Sequence, residues 1–187
     1  NLIKKNHKKK LEIVVSSAIK SDNEELIYCL KKNLYINHRS NILSSIMEFY
    51  FSIGIAGTHG KTSTATFLTT LLDSCTNNSS SIVGGIQPLY NSNSNIKDGK
   101  YLVAEIDESD GTSKNYKSDL GVINNIELDH CDYYKNLEEL ILNFKKFAVN
   151  SRKLLTNYDC KITQKNIKSE FTWSIRNTKN INFSMLV

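Results

Sequence analysis

The stretch that most restricts the fold runs from residue 51 to residue 73, FSIGIAGTHGKTSTATFLTTLLD. An apolar run at 53–56 enters Gly57-Thr58-His59-Gly60-Lys61-Thr62, and helix-like sequence follows at 62–73. Strand, glycine-bearing turn and helix start, in that order, make an anion site. The turn's N–H groups and the first free N–H groups of the helix converge, and the helix dipole adds positive charge there. Lys61 supplies a full charge for β- and γ-phosphates, and the Thr62 hydroxyl suits the Mg2+ that accompanies them. Gly57 and Gly60 keep side chains off the approaching phosphate. The common phosphate-loop pattern places four residues between its first glycine and the Gly-Lys pair. Here only Thr58 and His59 intervene, so the flanking strand and helix carry the identification of a variant loop. The bland alternative is a strand-to-helix turn that merely contains Gly-Lys-Thr.

Polar motifs follow successive strand-like runs along the rest of the chain. Residues 11–15 read as a buried strand, and Ser16 and Ser17 close it. They either meet a substrate hydroxyl or phosphate at the sheet edge or simply cap the next turn. Ser21, three residues before Glu24, suggests a capping box. A helix over 25–32 then has Leu26, Cys29 and Leu30 on one stripe. A brief strand at 35–36 precedes Arg39, which is either a substrate-phosphate contact or a surface cation. A helix over 41–49 follows, and a domain boundary is expected near 48–52. Phe67, Leu68, Leu71 and Leu72 are the expected inward stripe of the helix at 62–73. A polar, turn-rich segment at 74–81 leads to a strand at 82–83 that should stop at Gly84-Gly85. Residues 90–100 read as a loop or hairpin tip. Further strands are expected at 101–104, 120–123, 153–155 and 171–173. The helix at 137–149 carries Leu137, Leu140, Ile141, Phe144 and Phe147 inward. This alternation gives an α/β, doubly wound parallel sheet.

Composition narrows the function classes. Of the charged side chains, 24 are basic and 19 acidic, a net +5. The one dense lysine run, at residues 4–10, has no aromatic interleaving and reads as a solvated terminus rather than a nucleic-acid patch. Cys29, Cys75, Cys131 and Cys160 are widely spaced without a CxxC pair, which argues for a reducing cytosol and against zinc or a disulfide framework. No apolar run approaches the roughly 20 residues that span a membrane. The start lacks an initiator Met and a signal-peptide pattern, so the chain is expected to enter mid-protein.

Three strand ends are expected to bring Lys61-Thr62, Glu105 and the Asp129-His130 pair to one edge. Mg2+ needs one hydroxyl and one carboxylate beside phosphates and water. Glu105, leaving a buried strand next to the loop, is the best carboxylate. Two readings of it stand here, a magnesium ligand or an ion-pair partner of Lys61. By hardness alone Asp129 outranks His130 as a metal ligand. Glu108, Ser109 and Asp110 read either as a solvated acidic loop or as groups that organise substrate or metal.

GTHGKT at 57–62, AEIDESDG at 104–111 and NNIELDH at 124–130 resemble the central-domain motifs of the Mur ligase family of peptidoglycan synthesis. SSAI at 16–19 and HRSNILSSIM at 38–47 are similar to the end of that family's first domain. The resemblance implies residues 1–50 as part of a Rossmann-like UDP-substrate domain, and 51–187 as a central ATP-binding domain incomplete at its C-terminus. It implies ATP and Mg2+ as cofactors and UDP-N-acetylmuramate and L-alanine as partners. The reaction it implies is amide formation through an acyl phosphate, in the cytoplasm, without nucleic acid, membrane insertion or zinc. Gly57, Thr58, His59, Gly60, Lys61, Thr62 and Ser63 would bind nucleotide, with Ser63 standing where the family commonly has Thr. Lys61, Glu105 and His130 would be catalytic. Thr62, Glu105 and His130 would bind metal, the resemblance promoting His130 over Asp129. Ser16, Ser17, Arg39, Glu108, Ser109 and Asp110 would face substrate. Alone, the chain is expected to be inactive. The alternatives are a murein-peptide recycling ligase and a nucleotide-binding module without ligase activity.

Overall fold

The computed structural model describes residues 12–176 and the backbone of 183–184. Leu11 and the lysine run at 4–10 lie outside the described residues. Two compact units divide between Leu43 and Ser44.

In the first unit, β1 (Ile13–Val15) and β2 (Ile36–His38) pair in parallel, Ile13 opposite Ile36, and helix α1 (Glu24–Lys31) connects them. Asn23, rather than Ser21, caps α1: its side-chain oxygen accepts the Leu26 N–H at 3.0 Å. Glu24 and Glu25 then occupy the first turn, where the dipole favours them. Cys29 is the buried member of the α1 stripe, whereas Leu30 is exposed. Ser17 and Arg39 are exposed and Ser16 half-buried. The division between units falls within α2 (Arg39–Met47).

The second unit is built on an eight-stranded sheet in the order β10-β9-β8-β7-β3-β6-β4-β5. Its strands are β3 (Phe51–Ala56), β4 (Ser79–Gln87), β5 (Ser92–Asn95), β6 (Tyr101–Glu105), β7 (Ser118–Ile123), β8 (Ser151–Asn157), β9 (Phe171–Ser174) and β10 (Phe183–Ser184). All neighbours are parallel except the β4–β5 hairpin. Helices α3 (Lys61–Thr76), α4 (Leu137–Asn150) and α5 (Lys161–Asn166) connect them. The α/β parallel architecture read from the sequence is the one observed.

Strand β3 lies between β6 and β7 and is buried over 52–56, as a continuous apolar run in a parallel sheet should be. Ile53, Ile55, Ala65, Val83, Val103 and Val122 form the core around it. On α4, Leu140, Phe144 and Phe147 are fully buried. Burial on this scale contributes roughly 2–3 kcal/mol per large side chain.

Helix α3 departs from the expected stripe. Phe67 and Leu71 are 75% and 61% exposed, while Ala65 and Thr69 are buried and Leu68 and Leu72 pack against the core. The inward face is therefore 65, 68, 69 and 72. Thr69 can occupy it because its hydroxyl donates to the Ala65 carbonyl at 2.7 Å. Strand β4 also begins earlier and ends later than expected. Ser79, Ser80 and Ser81 are fully buried strand residues, all three paired with β6, opposite Tyr101, Leu102 and Val103. The strand continues through Gly84-Gly85 to Gln87, and residues 92–95 form its antiparallel partner rather than a plain loop. The four cysteines are free.

Candidate phosphate-binding site

Strand β3 ends at Ala56, and the chain turns at Gly57 with φ 141°. A Cβ there would lie 3.0–3.2 Å from Asn124 and from the Asn125 backbone nitrogen, so only glycine fits this turn. Gly60, at φ 78°, precedes the first residue of α3, and no side chain caps the helix. Its first turn holds no acidic residue. The helix start is thus an open set of N–H donors at the positive end of the dipole.

Lys61 folds back over the turn. Its ammonium donates to the Gly57 carbonyl at 2.8 Å, the Thr58 carbonyl at 3.2 Å and Glu108 Oε1 at 2.9 Å. Glu108 has no exposed surface, and the Lys61 side chain is 13% exposed. Burial pushes the Glu108 carboxyl above the usual carboxylate range, and the hydrogen bond from Lys61 pulls against it. The neighbouring Thr62 hydroxyl meets Glu105 at 2.9–3.0 Å, and the Gly84 N–H donates to Glu105 Oε2 at 2.6 Å. Of the two readings of Glu105, the structure shows a Thr62 partner, and the acid that pairs with Lys61 is Glu108. His130 follows β7, sits at φ 54°, and its Nε2 lies 3.3 Å from Glu108 Oε1. Asp129 accepts the His130 N–H at 2.7 Å, which draws its carboxyl below the usual range.

Lys61, Glu108 and His130 are therefore joined by direct contacts, and so are Thr62 and Glu105, with the two sets adjacent through the Lys61–Thr62 peptide at one sheet edge. Ser109 and Asp110 lie in the same loop as Glu108, with Ser109 N bonded to Asp107 Oδ1 and the Thr112 N–H and hydroxyl both bonded to Asp110 Oδ1. His59 and Ser63 are exposed and Thr58 is buried. Ser16, Ser17 and Arg39 belong to the other unit.

Several contributors escaped the sequence reading. Gly84 fixes Glu105 by its backbone N–H, and a Cβ there would lie 3.0 Å from the Glu105 carboxylate. Asn124 donates to Thr64 Oγ1 at 2.9 Å. Asn125 accepts the His59 N–H at 2.8 Å and donates to the His59 carbonyl at 3.1 Å. The Tyr134 hydroxyl donates to the Glu108 carbonyl and receives Asn143 Nδ2. The glycine pair could have been flagged as a close backbone approach inside a strand. The asparagine pair directly after a buried strand was the other available signal.

An open, uncapped helix start at the centre of a doubly wound sheet puts the chain among α/β proteins with a phosphate-binding loop. Within that class the chain belongs to the Mur ligase family: the Mur ligase middle domain matches residues 55–184, and the family's catalytic domain matches residues 2–51. A UDP-N-acetylmuramate–L-alanine ligase from Prochlorococcus marinus subsp. pastoris is 60% identical over 94% of this chain and 37% of its own length. A ligase of the same name from a Synechococcus strain is 42% identical over 93% and 36%. The chain thus spans a little over a third of the curated relatives it matches. Among solved structures, the UDP-N-acetylmuramate–alanine ligase of Thermotoga maritima superposes with a TM-score of 0.79 at 21% identity, over 89% of this chain and 39% of that one. A UDP-N-acetylmuramate:L-alanyl-gamma-D-glutamyl-meso-diaminopimelate ligase from Neisseria also gives 0.79, at 20% identity over 87% and 58%. At these identities the superpositions speak to fold alone.

Proposed function

We propose that this chain supplies the ATP-phosphate site of a ligase that joins L-alanine to UDP-N-acetylmuramate, a step of cell-wall synthesis in the cytoplasm. The observation that carries the reading is the open start of α3, flanked by the Lys61 ammonium and the Thr62–Glu105 pair. The names of relatives up to 60% identical supply the substrates. Among the described residues no helix is long and apolar enough to cross a membrane.

In this reading Gly57, Thr58, His59, Gly60, Lys61, Thr62 and Ser63 cradle the phosphates. The substrate carboxylate attacks the γ-phosphorus, the bond to ADP breaks, and an acyl phosphate forms. The alanine amine then attacks the acyl carbon and phosphate leaves. Lys61 and the loop N–H groups oppose the charge that develops on the transferring group, and no covalent enzyme nucleophile is needed. A hard divalent ion fits the Thr62 hydroxyl and Glu105 carboxylate, two oxygens already side by side. Among the described residues no three His, Cys, Asp or Glu side chains are grouped to hold a metal, so phosphates and water would complete the shell. When bound, Mg2+ supplies charge neutralisation of the phosphates, and His130 is assigned to a second such ion. Residues 1–50 belong to the UDP-substrate domain and 51–187 to the ATP domain, with Ser16, Ser17, Arg39, Ser109 and Asp110 assigned to the substrate side.

Two measurements test this. Calorimetry of Mg·ATP binding should show weaker affinity for Lys61→Ala and Glu105→Ala than for the parent; equal affinities would refute the site. Replacing the matching segment of the Prochlorococcus ligase with this chain should preserve ADP release that depends on L-alanine. ADP release that instead requires a tripeptide would transfer the assignment to the recycling ligases. Nucleotide-dependent partner binding without any such release would favour a binding module.

A further inference from the structure

The acidic loop after β6 contains a carboxylate that no solvated loop or exposed substrate contact would need. Glu108 is wholly buried, and its Oε1 faces both Lys61 Nζ at 2.9 Å and His130 Nε2 at 3.3 Å. Its Oε2 is buried without a partner. Its carbonyl is pinned twice, by the Gly111 N–H at 2.9 Å and by the Tyr134 hydroxyl, which Asn143 holds in turn. A fixed backbone thus delivers one negative charge beneath the phosphate loop.

The lysine above it has no spare donor. An ammonium carries three N–H bonds, and those of Lys61 meet Gly57 O, Thr58 O and Glu108 Oε1. A phosphate oxygen that reaches Lys61 must displace one of them. The Thr58 carbonyl is neutral and the most distant, at 3.2 Å. The charge-assisted bond to Glu108 is the stronger kind and would persist.

We propose that Glu108 is a positioning residue that acts through Lys61: a buried counter-charge that tethers the ammonium at the loop and weakens its hold on bound nucleotide. This rests on the reading of Lys61 as the phosphate-binding cation. The tether keeps the cation where the phosphates arrive. The counter-charge keeps an ammonium beside an open helix start from retaining the diphosphate product.

The test uses this chain in calorimetry with Mg·ADP and Mg·ATP, alongside reductive methylation of Lys61. Glu108→Gln keeps the shape and removes the charge. It should bind both nucleotides more tightly, by about tenfold, the scale of deleting one charge a few ångströms from a phosphate. Lys61 in that variant should also methylate faster than in the parent. General damage to the fold would instead weaken nucleotide binding. Tyr134→Phe, which loosens the Glu108 backbone without touching its charge, should speed Lys61 methylation as well, and it carries the test if Glu108→Gln does not fold. Unchanged or weaker binding by a folded Glu108→Gln, or Lys61 methylation unchanged in the variant that folds, overturns the proposal. If Lys61→Ala binds nucleotide as the parent does, the underlying reading of the site is what fails.

Discussion

Helices α3 and α4 both follow strands of one sheet, β3 and β7, and they begin in opposite ways. At α4, Asn136 accepts the Glu139 N–H at 3.0 Å, and the Glu139 carboxylate reaches back to the Lys135 N–H at 2.9 Å. Glu138 and Glu139 fill the first turn. At α3, Gly60 offers no side-chain cap and the first turn has no acid. The first arrangement satisfies the helix's free donors and its positive end from within. The second leaves both exposed beside Lys61. A glycine in place of a capping side chain forgoes only about 0.3 kcal/mol, so an available anion slot costs this fold little local stability, and the two kinds of helix start are assigned to different helices.

The comparison is most severely tested by Lys61→Ala. It should weaken Mg·ATP binding roughly a hundredfold, the loss of about 2–3 kcal/mol of charged hydrogen bonding. It should also lower stability by about 3 kcal/mol in urea unfolding, because buried Glu108 loses its cation. A stability loss under about 1 kcal/mol would show that the pair contributes little to the fold. Next comes Gly57→Ala, which forces a side chain into a φ of 141° against the backbone of Asn125. Its expected cost is about 2 kcal/mol, read from thermal unfolding. Asn136→Ala should cost about 1 kcal/mol and leave Mg·ATP affinity unchanged. A change in affinity would mean that the two helix starts are not independent.

The far end of α3 supplies a pH test. Asp73 is held below its ordinary value by the hydrogen bond from Lys97, against burial and with help from Tyr90 and the Ser79 N–H. A depressed carboxylate contributes stability that is present above its unfolded pKa, about 3.9, and is lost as pH falls through the lower folded value. Acid unfolding of Asp73→Asn should therefore be less steep below about pH 4. The smallest effect is expected at the opposite sheet edge. There Lys117 and Glu48 lie 3.7 Å apart and are 70% and 60% exposed, so Lys117→Ala should change stability by about 0.5 kcal/mol or less.

Much of this architecture was legible because period and burial agree. The apolar run at 53–56 and the Leu140, Phe144, Phe147 stripe each have one reading. Helix α3 was misread because Phe67 and Leu71 are as apolar as Leu68 and Leu72. What decides its face is that small Ala65 and self-satisfied Thr69 can approach the sheet. Ser79, Ser80 and Ser81 look like a turn, yet pairing with β6 overrides their propensity, and Ser79 and Ser80 find hydroxyl partners at Thr69 O and Lys97 O. At the site, Lys61, Thr62 and Glu105 were readable from residue type and place. The burial of Glu108 was not, since a run of acids signals solvent until an enclosed cation shows otherwise. The Gly84 contact depends on strand order, which no local pattern encodes.

The phosphate loop and the segment after β7 are clasped together. Thr58 exchanges two hydrogen bonds with Glu127 at 3.0–3.1 Å, and His59 exchanges two with Asn125. With the Thr58 N–H also bonded to the Asn125 carbonyl at 3.2 Å, such a zipper makes the two loops a single mechanical part: neither can swing outward without tearing these five bonds. His130, three residues beyond the clasp, is carried on the same part as Lys61, and both reach one oxygen of Glu108, at 3.3 and 2.9 Å.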